Sequence, residues 1–349
     1  MKDKESKIKQ GIQLMRALRD FSQHPNYEFL FPDHYKLHEI VGPLLHIHCP
    51  KDCQCQMNFS VPYSDQVQEL QGAAFSCLGQ LVHNDHRLER QEPDQFNLYS
   101  NLQQGYVVQV HSGYEHIISN ITQYTSNLSV TPHNSQQQYY SSPSSPIFTL
   151  QLRDNPCSLG GILHLYSSLL YRSKMHLMIA TRFPNVASSM IKLARFERKV
   201  HQGTFRSKQA KEIRLRSIGI LVMMCPRSYQ EQQFQMVREW KVINCFIDSF
   251  SVAGGSEEQY KDMNEIALKG VYTVMTSLRT ESVLSPIKPE LQKESQEDCE
   301  SMGGMEEIES HQFRRVKRND LIRLESSKAK IAMLNIRWKS QEQRGIYWW

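Results

Sequence analysis

Two stretches of this sequence gather the residue types that bind polyanions. From Lys192 to Arg216 nine Lys and Arg stand against two Glu, and from Phe313 to Trp349 ten stand against three acids. Each stretch therefore carries an excess of seven positive charges, in a chain whose whole formal charge is +5. Binding phosphates needs such a concentration, because counterion release supplies much of the affinity, and a local cationic surface is its electrostatic footprint. In the first stretch the candidate contacts are Lys192, Arg195, Arg198, Lys199, Arg206, Lys208, Lys211, Arg214 and Arg216, with the Phe205 ring among them as a platform for a base.

The second stretch interleaves cations with aromatic rings. Arg314, Arg315, Lys317 and Arg318 open it, Arg337-Trp338 follows, and Tyr347-Trp348-Trp349 closes it. Exposed tryptophans are costly unless they dock, so this arm is expected to insert into a pocket of a partner or of the chain itself.

A third cluster could hold a metal. His46, His48, Cys49, Cys53 and Cys55 bring imidazole and thiol groups together, the ligands zinc prefers. Three residues separate Cys49 from Cys53, where two is usual, and the alternation of His46 and His48 equally suits a half-buried strand. A structural zinc is a secondary expectation here, and no other cofactor is expected. Nothing points to an enzyme: there is no G-x-x-x-x-G-K-[ST] loop, no G-x-G-x-x-G, no G-x-S-x-G and no HExxH.

The elements that must position these residues read as mainly α-helical, with some strand in an N-terminal mixed lobe over 26–157. Ile8, Ile12, Met15, Leu18 and Phe21 recur at helical spacing in an N-terminal amphipathic helix over 1–25, which either packs on the body or meets a neighbouring subunit. A second helix covers about 65–83 on the stripe Val67, Leu70, Ala74, Leu78 and Leu81. Tyr106–Val110 and Phe148–Leu152 alternate as strands do, flanking a low-complexity loop at 131–146. From 158 to 284 the periodicity is helical throughout and predicts a C-terminal helical lobe, the two lobes meeting near 150–160. There Met190, Leu193 and Phe196 face inward and Lys192, Arg195, Arg198 and Lys199 outward. One helix opens on a capping box of Ser228 and Glu231 and runs to Phe250, and another follows Ser256 and Gln259. Eight acids against two lysines, with Pro286, Pro289 and Gly303-Gly304, make 285–312 an expected flexible acidic linker. The basic arm at 313–349 then holds a helix with Leu321, Leu324, Ile331 and Leu334 on one side.

Charge, cysteine usage and hydropathy narrow the class. Eight irregularly spaced cysteines suggest reduced thiols in the cytoplasm or nucleus. The N-terminal residues MKDKESKIKQ lack the apolar run of a secretory signal, so the sequons at Asn58, Asn120 and Asn127 read as chance. The longest apolar run, Ile218–Cys225, is too short to span a membrane and reads as a buried element. The first expectation is a non-enzymatic structural protein that binds nucleic acid, single-stranded RNA before DNA, and self-associates. Its layout is that of a packaging nucleoprotein such as viruses use, an analogy of layout alone. The alternative is a scaffold or adaptor subunit of an intracellular complex, docking through its basic, Trp-rich tail and holding a structural zinc at 46–55. A third reading is a matrix-type protein whose basic face meets anionic lipid.

Overall fold

The computed structural model describes residues 2–23, 40–47, 61, 64–91, 113–126, 128–131, 147–150, 156–172, 183–197, 205–251, 260–281, 287–313 and 321–334. The fold is mainly α-helical, as the periodicity requires. In chain order it comprises α1 (Lys2–Ser22), a 3-10 turn (Gly42–His46), α2 (Asp65–Gln91), α3 (Gly113–Ser126), β1 (Leu128–Thr131), β2 (Ile147–Leu150), α4 (Pro156–Arg172), α5 (Pro184–Ala194) and α6 (Phe205–Met224). A 3-10 turn (Cys225–Arg227), α7 (Gln230–Phe234), a π-turn (Gln235–Glu239), α8 (Val242–Phe250), α9 (Lys261–Arg279), α10 (Pro289–Ser301), α11 (Gly304–Phe313) and α12 (Leu321–Met333) complete it. The two strands form one ladder. β2 falls on the expected strand, whereas Tyr106–Val110 and most of the 131–146 loop lie outside the described residues; α3 has no counterpart in the sequence reading. Two compact units arise, Met1–Leu128 with Leu150–His176, and Ser129–Thr149 with Leu177–Trp349.

The first unit is built on α2 and α4. Val67, Ala74, Leu78 and Leu81 are buried along α2, and Leu159, Ile162, Leu163, Tyr166, Leu169 and Leu170 along α4. Glycine sets their closeness. A Cβ on Gly79 would stand 2.9 Å from the Leu165 amide nitrogen, and one on Gly161 would run into the Gly72 carbonyl. This contact corrects the expectation that residues from 158 onward begin the second lobe: α4 packs on α2, in the first unit. On the other side α1 lies along α2, with Ile12 and Met15 buried and Arg16 paired to Glu69. Of the two expected roles for this helix, packing on the body is the one it has. Gln71 ties the 3-10 turn to α2 by donating to the Leu45 and Ile47 carbonyls at 3.2 and 2.5 Å. Asn120 is buried within α3, where a glycan has no room, in keeping with a chance sequon.

In the second unit α9 is the central element, packed against α6, α8, α10 and α12. Met263, Ala267, Leu268, Val271, Val274, Met275 and Leu278 are buried along it. Gly270 lets the Phe246 ring close in, since a Cβ there would sit 2.7 Å from ring carbons. The apolar run from Ile218 to Cys225 forms the end of α6 and the turn beyond it, and is buried as expected.

Two expectations are corrected in this unit. The single helix from Ser228 to Phe250 is interrupted: a π-turn ends at Glu239, and Lys241 adopts a left-handed conformation (φ 51°) before α8 starts. Ser228 caps nothing there, because its hydroxyl donates back to the Met224 carbonyl at 2.8 Å. Ser256 and Gln259 lie outside the described residues. The acidic segment is not a linker, because 289–313 folds into α10 and α11, burying Leu291, Ser295, Cys299, Ile308 and His311. Its acids have cationic partners: Glu294 with Arg238, Asp298 with Lys241 at 3.0 Å, and Glu309 with Lys330 at 2.8 Å. Pairing with other helices replaces the self-repulsion that composition alone implies. In α12, Leu321, Leu324 and Leu334 share one side, as expected, and that side is the exposed one. Ile322, Ser326, Ala329, Ala332 and Met333 are its buried face. The small residues Ser326 and Ala329 allow the tighter approach to the neighbouring helices, which outweighs the leucines' greater apolar area.

Candidate functional site

The strongest candidate is the basic block on α5 and α6, and the structure ties most of it down. Arg195, expected on the solvent face, caps α5 and turns inward, its Nε donating to the Asp248 carboxylate of α8 at 3.1 Å. Both partners are largely buried. Arg206 holds Glu197 through two nitrogens, with Nε at 3.0 and 2.9 Å from the two carboxylate oxygens. Glu197 is 1% exposed at its side chain and Arg206 55%, so the acid is interior and the guanidinium covers it. This carboxylate holds the Arg206 guanidinium above its ordinary pKa.

Arg214 reinforces the same corner. It is buried and donates from Nη1 to the Phe196 and Glu197 carbonyls at 3.1 and 3.3 Å. Glu197 has φ 45°, a left-handed conformation uncommon for a residue with a side chain. Two arginines from α6 thus clamp the end of the α5 segment at its strained position. Further along α6, Lys211 pairs with Asp262 at 2.8 Å and lies 4.2 Å above the Tyr260 ring. Arg216 pairs with Glu212 one turn away at 2.6 Å.

Two cations of the block stand apart. Lys208 is exposed and Lys192 half-buried, and neither ammonium has a partner among the described residues. Phe205 opens α6. Arg198 and Lys199 lie outside the described residues, as do Arg314, Arg315, Lys317, Arg318, Arg337, Trp338, Trp348 and Trp349 of the arm. Sequence reasoning missed the acids that answer the block. Asp248 carries a legible signal: a single acid inside the apolar helix Val242–Phe250 (VINCFIDSF) demands a cation. Asp262 has no such signal, since an acid in a helix's first turn is ordinary.

Of the zinc candidates only His46 is described, and it is buried in the turn tied to α2; His48, Cys49, Cys53 and Cys55 lie outside the described residues. Among the described residues no group of three His, Cys, Asp or Glu is arranged to hold a metal ion. Cys77, Cys225, Cys245 and Cys299 are buried and in no disulfide. Burial pushes the thiols of Cys77, Cys225 and Cys299 up to about 12, so they are protonated at neutral pH and poor nucleophiles. Among the described residues no helix is long and apolar enough to cross a membrane.

No protein-family model matches the chain, and no curated protein matches it in sequence. Among solved structures it is similar to an engineered protein, at 7% identity over 93% of this chain and 92% of that one, with a TM-score of 0.50. A designed armadillo repeat protein gives 8% identity, 92% of both chains and a TM-score of 0.48. A second engineered protein gives 9% identity, 94% of this chain and 91% of that one, with a TM-score of 0.48. At such identities the likeness is one of fold and says nothing about activity.

Proposed function

We propose that this chain is a non-enzymatic helical adaptor that acts by binding a protein partner. The observation that carries the reading is the pairing inside the basic block: Arg195, Arg206, Lys211 and Arg216 each face a carboxylate, and Arg214 is buried against backbone carbonyls. Arg195 and Arg206 are held by the interior acids Asp248 and Glu197 and cannot meet a phosphate without abandoning them, whereas Lys211 and Arg216 pair with half-exposed acids that a phosphate could replace. The protonated, buried thiols fit a protein with no cysteine chemistry, and they suit a reducing compartment, cytoplasm or nucleus. A structural zinc on His46, His48, Cys49, Cys53 and Cys55 belongs to this reading as a secondary feature.

Nucleic-acid packaging, the first expectation from sequence, is the second reading. Lys192 and Lys208 favour it, as cations on the same two helices with no partner among the described residues. Salt dependence separates the two. If all nine cations of the block met phosphates, the slope of log affinity against log salt for single-stranded RNA would be about −6; with Arg195, Arg206 and Arg214 held internally it would be no steeper than about −4. The experiment is a titration of the full chain with a labelled single-stranded RNA from 50 to 300 mM salt. The adaptor reading expects weak binding, a shallow slope and no gain with RNA length. Tight, length-dependent binding with a slope near −6 overturns it.

A further inference from the structure

We propose that the ridge where α7 and the π-turn lie along α10 docks an arginine-rich segment of a protein partner, held on the Phe234 ring between Glu231 and Glu290. The proposal rests on the adaptor reading and names a surface and the chemistry of its occupant.

Three side-chain links fix the ridge. Lys288 donates to Gln233 at 2.6 Å, Arg238 to Glu294 at 2.7 Å, and Lys241 to Asp298 at 3.0 Å. Their separations in sequence are 55, 56 and 57 residues, so the segments 233–241 and 288–298 run side by side in one direction. Phe234 falls level with Glu290 in that register, and contacts bring the two together. The Arg238 guanidinium lies 4.2 Å above the Phe234 ring, and its Nη2 is 3.8 Å from a Glu290 oxygen. Glu231 stands three residues before Phe234, on the same side of α7. The ring is 39% exposed, the Glu290 side chain 86%, and Glu231 is exposed as well.

Chemistry selects the occupant. A single exposed ring is ordinary on a protein surface. A ring bracketed by carboxylates suits a guanidinium, which stacks on an aromatic face while its planar fork pairs with acids. The fold displays that recognition within itself, since Arg238 stacks on Phe234 and donates to both oxygens of Glu294. Lysine brings the charge without the fork. The setting is acidic: residues 230–241 and 289–301 carry seven acids against three cations. Those cations are engaged by Glu294, Asp298 and Glu297. Glu231 has no cationic partner among the described residues, and Glu290 meets only the far edge of Arg238. A nucleic acid is repelled by this excess of negative charge, and a second copy docked face to face would set acids against acids. An apolar helix would find one ring and strand the carboxylates around it.

The test is the anisotropy of a fluorescein-labelled synthetic peptide, arginines spaced by serine and glycine, titrated with the full chain. Saturable binding is expected, about fivefold weaker in Phe234→Ala and about threefold weaker in Glu290→Gln and in Glu231→Gln. Arg238→Ala should bind more tightly, because it removes a positive charge and frees a ring face and Glu294 for the peptide. The same peptide with lysine at every arginine should bind about fivefold more weakly. Glu5→Gln, which removes an exposed acid on α1, is the charge-matched control and should leave the affinity unchanged. Circular dichroism and melting curves check each variant, and the isosteric glutamine variants carry the test if Phe234→Ala misfolds. Absence of saturable binding, equal affinity for the lysine peptide, or unchanged affinity in all three weakened variants overturns the proposal. So does weaker binding in Arg238→Ala, or a loss in Glu5→Gln equal to that in Glu290→Gln, the mark of diffuse attraction. Such a failure alongside a shallow RNA salt slope leaves the adaptor reading standing and removes only this surface. A steep RNA slope removes the adaptor reading itself.

Discussion

The basic block on α5–α6 and the acidic segment on α10–α11 are opposite in charge and share one structural fate. Each looks in sequence like surface set aside for something outside the chain. In the fold each is answered from within: the block by Asp248, Asp262, Glu197 and Glu212, the acidic helices by Arg238, Lys241 and Lys330. They differ in depth. Glu197 and Asp248 are interior acids whose cations are required, whereas the pairs of α10 and α11 are partly solvated. Charge segregated along a chain is therefore not charge segregated in space, and its energetic weight depends on which partner is buried.

That difference in depth can be broken experimentally. Arg195→Ala leaves Asp248 uncompensated in a largely buried site and should lower stability by about 3–4 kcal/mol in urea unfolding. A loss below about 1 kcal/mol would mean that the pair is solvated. By contrast, Lys241→Ala and Arg238→Ala, which answer α10, should cost under about 1 kcal/mol each, and less at 0.5 M salt. Equal losses in the two groups would erase the distinction between block and acidic segment.

Titration separates the regions in another way. Arg238 holds the Glu294 carboxyl below its ordinary value of 4.5. A depressed carboxyl contributes stability that is present above pH 4.5 and is lost as pH falls through its folded value, so Arg238→Ala should flatten the acid limb of the melting temperature below pH 4.5. The buried thiols act at the other end. Cys225 and Cys299 are raised from 9.0 to about 12, so their contribution is whole below pH 9 and is lost as pH climbs toward 12. Cys299→Ala should soften that alkaline limb. The smallest effect is expected at the exposed Lys208, where alanine should change stability by less than about 0.5 kcal/mol.

Much of the architecture was legible because apolar spacing speaks directly. The stripes of α2, α4 and α9 are the ones their sequences display, and Ile218–Cys225 is buried as a continuous apolar run must be. Less was legible where small or polar residues do the packing. The buried face of α12 runs through Ser326 and Ala329, small residues that a stripe drawn through Leu321 and Leu324 does not reveal. α10 anchors itself through Leu291, Ser295 and Cys299, too sparse a pattern to outweigh eight acids in composition. At the candidate site the cations were legible and their partners were not, because Asp248 and Asp262 lie tens of residues away in the chain. The left-handed Glu197 carries no sequence signature, and neither does the glycine-mediated meeting of α2 and α4, which moved α4 into the first unit.

The central claim is that the basic block is an internal clamp, and the Arg206–Glu197 pair tests it most directly. Urea unfolding of the wild type, Arg206→Ala, Glu197→Gln and the double variant would give the coupling between the two residues. The account predicts that Arg206→Ala alone loses about 3 kcal/mol and that adding Glu197→Gln restores part of it, because the stranded carboxylate is then gone. If Arg206→Ala costs nothing and the two substitutions simply add, Glu197 is not held by Arg206, and the block is solvent-facing charge open to a polyanion.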